Sequence, residues 1–113
     1  DVREFLKTAL EHMGYHVDCC ADGLEALDFY RQHGETVDLV ILDQRMPKLS
    51  GGETFTRLKD INPDVRVLIA TGYARSDVIA SLLNAGAVDY LSKPFRIEQL
   101  AQKVAEHLSP RAP

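Results

Sequence analysis

A chain of 113 residues, nearly half of them hydrophobic and about a quarter charged, is sized for one domain able to bury roughly two-thirds of its unfolded surface without a metal or disulfide. Its composition excludes a disordered segment, and its net charge of -4 with a pI near 5.5 offers no basic face, so neither nucleic acid nor an anionic membrane is an expected partner. No apolar run approaches the ~20 residues of a membrane helix and no charged-then-apolar leader opens the sequence, which points to a cytoplasmic protein with protein partners.

In chain order, Val2, Phe5, Leu6, Ala9, Leu10 and Met13 recur at three and four and predict an amphipathic helix stopped by Gly14. "HVDCC" from His16 alternates like a half-exposed strand. On such a strand Cys19 and Cys20 would face opposite ways, and adjacent cysteines make no secreted-type disulfide framework. Asp22 and Glu25 resemble a capping box that opens a helix through Tyr30. "LVILD", from Leu39, is a short apolar run without alternation, the pattern of a strand covered on both faces.

Beyond Gly51 and Gly52, a helical segment carries Phe55, Leu58 and Ile61 and is closed by Pro63, and "VRVLIAT" reads as a second apolar strand. A polar loop with Gly72 leads to a helix from about Ser76, with Val78, Ile79, Leu82 and Leu83 on its apolar stripe and Gly86 at its end. "AVDYLSKP" is the last strand. Ile97, Leu100, Val104 and Leu108 define the last helix, and residues 109–113, "SPRAP", read as a linker or tail. Helices alternating with strands predict an α/β, doubly wound parallel sheet covered on both sides. Five helices against four strands make the chain look as if its first strand is absent.

In an open parallel sheet the carboxyl ends of the strands border the crevice where ligands bind. Three strand ends here present Asp43, Thr71 and Lys93, an acid, a hydroxyl and an amine. An ionised carboxylate can attack phosphorus, but an anionic phosphoryl group repels it unless positive charge stands nearby. Lys93 supplies one such charge.

With those residues and the motifs "LVILDQRMPKLSG", "VLIATGYA" and "NAGAVDYLSKPF" in view, the sequence resembles the receiver domain of bacterial two-component response regulators over residues 1–108. The resemblance implies a flavodoxin-like sheet of strand order 2-1-3-4-5 with its first strand missing. It also implies that Asp43 accepts a phosphoryl group from phosphohistidine on a histidine kinase or phosphotransfer protein, aided by Mg²⁺ bound to Asp43 and the main-chain carbonyl of Arg45. By the same resemblance Thr71 and Tyr90 form a switch, Pro94 follows a cis bond that aims Lys93, and Gln44, Arg45 and Tyr73 modulate the lifetime of the acyl phosphate. The output partner would be read by the last helix-strand-helix face around Tyr90; a homodimer stays open. The wording of "GGETFTRLKDINPDVRVLIATGYA" resembles receivers fused to hybrid histidine kinases.

The family's acidic pair at the end of its first strand has no counterpart in the given sequence, where Asp1 sits too close to the first helix to belong to it. Loss of that strand should leave "HVDCC" without a partner and one row of "LVILD" unpaired. The absent pair also keeps open a pseudo-receiver that binds partners without phosphorylation. An aspartate-nucleophile phosphatase would want a second acid two residues beyond Asp43, where Arg45 stands. A nucleotide- or flavin-binding module would want a fuller glycine loop than Gly51 and Gly52. The histidines at 12, 16, 33 and 107 show no zinc spacing and read as surface residues.

Overall fold

The computed structural model describes residues 2–43, 51–72 and 76–108. Along the chain these form α1 (Val2–His12), α2 (Gly23–His33), a short 3-10 turn (Gly34–Thr36), β1 (Val40–Asp43), α3 (Gly51–Ile61), β2 (Val67–Thr71), α4 (Ser76–Asn84), β3 (Asp89–Ser92) and α5 (Ile97–Leu108). The strands pair parallel in the order β1-β2-β3. Val40 lies opposite Val67 and Leu68 opposite Asp89, a register that carries the three strand ends to one edge.

The central strand β2 is buried at every position, as its unbroken apolar sequence requires of a strand covered on both faces. One face packs Leu42, Val67 and Ile69 against Leu27 and Tyr30 of α2 and Phe55 and Leu58 of α3, with Leu82 of α4 alongside. The opposite cluster joins Leu91, Leu100 and Val104 to Leu10, with Leu6, Ile97 and Leu108 packed onto it. The polar Tyr30 hydroxyl survives burial because it accepts a hydrogen bond from Asn62 Nδ2 at 2.9 Å, which also ties α2 to the end of α3.

Local signals decide where the helices start and stop. Asp22 caps α2 by accepting from the Glu25 N–H at 2.9 Å, and the Glu25 carboxylate reaches back to accept from the Ala21 N–H, one residue ahead of the N–H that a strict capping box uses. Gly14 and Gly86 end α1 and α4 at φ of 96° and 110°. At each, the following N–H reaches five residues back, Tyr15 to Leu10 and Ala87 to Leu82, which is a Schellman closure needing a left-handed residue.

Two expectations are corrected. "HVDCC" is not a strand, and its alternation breaks at the cysteines: Val17 and Cys20 are half-buried, while His16, Asp18 and Cys19 are exposed. A strand exists only through its ladder, and among the described residues β1 pairs with β2 alone. A groove of about 700 Å³ lies beside β1, lined in part by Leu6, Leu10, Tyr15, Val17, Leu39 and Ile41. The apolar stripe of α1 is also narrower than its spacing suggests: Leu10 is buried, but Phe5 and Met13 are 61% and 41% exposed. Helix α1 is covered only along the arc that meets α5, which takes Leu6 and Leu10 and leaves the flanks of the stripe in solvent. The same partial cover leaves Ile61 and Leu83 exposed.

Gly86→Ala and Gly14→Ala should each cost about 1 kcal/mol in urea denaturation, because an L residue at positive φ is strained. Gly86→Ala should cost more of the two. Its Cβ would stand 2.7 Å from Lys59 Cε, and moving that side chain gives up the Lys59 hydrogen bond to the Pro63 carbonyl.

Candidate functional site

Asp43 ends β1, Thr71 ends β2, and Lys93 directly follows β3. Parallel pairing sets Asp43 beside Ala70 and Thr71 beside Ser92, so the three residues meet at the carboxyl edge of the sheet. The Lys93 ammonium reaches across the end of β2 and donates to Asp43 Oδ1 at 2.6 Å. Thr71 beneath it is fully buried, and its carbonyl accepts from the Lys93 N–H at 2.8 Å. That bond fixes the backbone from which the lysine extends, and the Lys93-Pro94 peptide after it is cis.

The side chains of Asp43 and Lys93 keep 44% and 36% of their exposure. Water and salt therefore weaken the pair, which holds little of the fold together. What it offers instead is access. The carboxylate remains open to a partner while a cation already stands where anionic charge would arrive. Gln44, Arg45 and Tyr73 lie outside the described residues. Cys19 is exposed and Cys20 half-buried, and burial, followed by the carboxylate of Glu25, pushes the Cys20 thiol up from its ordinary value.

Residues 1–105 match the response regulator receiver domain family. The chain belongs to that family. It is 35% identical to sporulation initiation phosphotransferase F of Bacillus subtilis over 95% of this chain and 85% of the relative. It is 38% identical to the transcriptional regulatory protein ZraR of Klebsiella oxytoca over 92% of this chain but 23% of that protein. Response regulator MprA of Mycobacterium sp. (strain KMS) is 37% identical, with 99% of this chain and 48% of the relative covered. The chain thus spans from about a quarter to most of the length of these relatives.

Solved structures agree on the fold. A response regulator receiver domain protein from Clostridium thermocellum superposes with a TM-score of 0.86 at 30% identity, covering 93% of this chain and 83% of the other. The response regulator protein TrrA from Thermotoga maritima, in complex with Mg(2+)-BeF, superposes with a TM-score of 0.81 at 34% identity, over 95% and 90% of the two chains. The receiver is therefore flavodoxin-like, with its described sheet shortened to three strands. Among the described residues no helix is long and apolar enough to cross a membrane.

Tyr90, half-buried on β3, sits opposite Ile69 in the register. Beside it lies a network of this receiver that sequence reading missed. Asp89 Oδ1 accepts from Lys103 Nζ at 2.9 Å and from the Tyr90 N–H at 2.8 Å, while Asp89 Oδ2 lies 3.0 Å from His107 Nε2. Arg66 caps the end of the same helix by donating to the His107 carbonyl. His107 is thus a half-buried clamp of α5 onto β3 and not the plain surface residue expected; His12, His16 and His33 are exposed. Lys103 and His107 stand four apart on one face of α5, and that spacing opposite an acid at a strand start was the available signal.

Glu106 joins Asp89 and His107 to bring three ligand-type groups within 4.8 Å. The Lys103 ammonium already on Asp89 opposes a divalent cation there, so the cluster is an ion-pair network. Burial alone would raise the Asp89 pKa, but the hydrogen bonds from Lys103, His107 and the Tyr90 N–H outweigh it and hold the carboxyl below its ordinary value. A carboxyl with a depressed folded-state pKa contributes stability above its unfolded value that is lost as pH falls through the folded one. Denaturation midpoints should therefore fall with acidification below the ordinary carboxylate range, and Asp89→Asn should lower stability at neutral pH and flatten that acid limb.

Proposed function

We propose that this receiver is an active phosphoacceptor, with Asp43 as the nucleophile. The observation that carries the reading is the 2.6 Å approach of Lys93 Nζ to Asp43 Oδ1 across the buried Thr71, three groups drawn from three consecutive strand ends. A carboxylate oxygen of Asp43 bonds to the phosphorus of a phosphohistidine on a histidine kinase or phosphotransfer protein. The P–N bond breaks, its electron pair passes to the imidazole nitrogen, and the product is an acyl phosphate on Asp43. Lys93 offsets the charge that repels attack and afterwards pairs with a phosphoryl oxygen.

The donor chemistry of Asp43 suits Mg²⁺, which takes one or two carboxylates together with phosphate oxygens and water. Asp43 and the main-chain carbonyl of Arg45 would hold it, and when bound it shields the transferring phosphoryl charge. The relative TrrA, crystallised with Mg(2+)-BeF, supports that assignment.

Thr71 and Tyr90 act as the switch in this proposal. The new phosphoryl group adds charge and strong acceptor oxygens that draw in the Thr71 hydroxyl and Lys93 and so alter the space available to the Tyr90 ring. The face formed by α4, β3 and α5 passes the change to an output domain or protein. Gln44, Arg45 and Tyr73 tune how long the acyl phosphate lasts. The chemistry is directed at the receiver itself, in a domain of residues 1–108; residues 109–113 lie outside the described residues.

The deciding experiment is the intact mass of the chain after incubation with Mg²⁺ and a small acyl-phosphate donor. One phosphoryl group should be gained, and Asp43→Asn should abolish the gain while costing at most about 1 kcal/mol of stability, as expected for an exposed pair. A wild-type chain that stays unphosphorylated would favour a pseudo-receiver that binds partners through the same fold. Lys93→Ala should uncouple phosphorylation from the change in partner binding, and Thr71→Ala should weaken both. Normal partner binding by phosphorylated Thr71→Ala would remove Thr71 from the switch.

A further inference from the structure

The last helix carries a contact that the chemistry at Asp43 does not use. Lys103 Nζ stands 5.3 Å from the centroid of the Tyr90 ring while donating to Asp89 Oδ1 at 2.9 Å. A cation over an aromatic face is attracted by the ring quadrupole. A flexible lysine contributes little to such a contact unless something else holds it, and here Asp89 does. Its carboxylate is itself held by His107 Nε2 and the Tyr90 N–H.

Three groups of α5 surround this point. Lys103 and His107 both bond Asp89, and Glu106 lies within reach of the latter two. Tyr90, Ser92, Gln99, Gln102, Lys103 and Glu106 line a recess of about 350 Å³, so the ring borders open space on the side of α5. A ring with space beside it needs a restraint if it is to occupy one position.

We infer that Lys103, anchored by Asp89, is a positioning residue that holds the Tyr90 ring in its resting place on the α5 face and so sets the threshold of the switch. The inference rests on the Tyr90 switch proposed above and adds to it the group against which the ring must move. The cation–π contact forms only in the resting position, so it biases the equilibrium toward rest by its own strength. Removing it raises the fraction of chains with the ring displaced, and by linkage tightens any ligand that favours the displaced state by up to the same factor.

The test follows the Tyr90 ring resonances of the full chain by NMR, with ¹³C-labelled tyrosine and ¹⁵N-labelled backbone amides, during titration with Mg²⁺ and beryllofluoride as a phosphoryl mimic. In Lys103→Met the ligand-free ring signal should move part of the way toward its liganded position. The apparent beryllofluoride affinity should rise about two- to fivefold, the range for a partly exposed cation–π contact. Lys103→Arg, which keeps the cation, should restore wild-type values.

If the wild-type ring responds to beryllofluoride but Lys103→Met matches it in shift and affinity, the positioning role is overturned and the switch stands. If the wild-type ring does not respond although the resonances of Asp43 and Lys93 do, the switch fails and the positioning role with it. A shift in Lys103→Met that Lys103→Arg fails to restore would reduce Lys103 to packing and also overturn the inference.

Discussion

The parallel register of three strands is the constraint on which the site depends. Asp43 and Lys93 are separated by 50 residues, and neither could find the other through local structure. They meet because β2 is buried on both faces, pairs with β1 on one side and β3 on the other, and halts both neighbours within a residue of its own end at Thr71. Slipping either strand by one residue would send its core-facing side chains to the wrong face. Burial of Val67, Leu68 and Ile69 thus holds the geometry that the half-exposed ion pair cannot hold itself. Stability and reactivity are assigned to different residues, so the acid can stay accessible.

Much of this was legible in the sequence because period and punctuation agree locally with the final packing. Leu100 and Val104 lie where the stripe of α5 predicted them, the Asp22 cap opens α2, and Gly14 and Gly86 close their helices at positive φ. What misled was context that a local pattern does not contain. The alternation of "HVDCC" marks Val17 correctly for cover, but Cys19 is exposed and Cys20 half-buried against the period, because a strand needs hydrogen-bonding neighbours to hold its faces. The spacing of Phe5 and Met13 is a correct record of a helix face, but a face is buried only where another element arrives.

The network around Asp89 was invisible for a different reason. Its members come from the approach to β2, the start of β3 and the last two turns of α5, and each has an ordinary surface identity in isolation. Only the docking angle of α5 brings Lys103 and His107 over Asp89, while Arg66 reaches the His107 carbonyl. Four charged or titratable groups then fasten the helix polar side down, in parallel with the apolar contact of Leu100 and Val104 with Leu91. Apolar burial gives α5 its affinity for the sheet, and the directional bonds select its rotation.

That division of labour bears on signalling. The strand ends where Lys93 emerges and the strand start where Asp89 sits belong to the same four-residue β3, with Tyr90 next to Asp89. A charge change at the carboxyl edge and a charge network at the amino edge therefore act on one short segment from opposite ends. β3 is rigidly registered to β2, so it does not absorb a push by sliding. The soft coordinates left are side-chain ones, and Tyr90 stands between a packed sheet on one side and an open recess under Lys103 on the other. In the proposed switch the signal therefore passes by rotamer and charge rather than by moving a strand, through the residues that hold the ring.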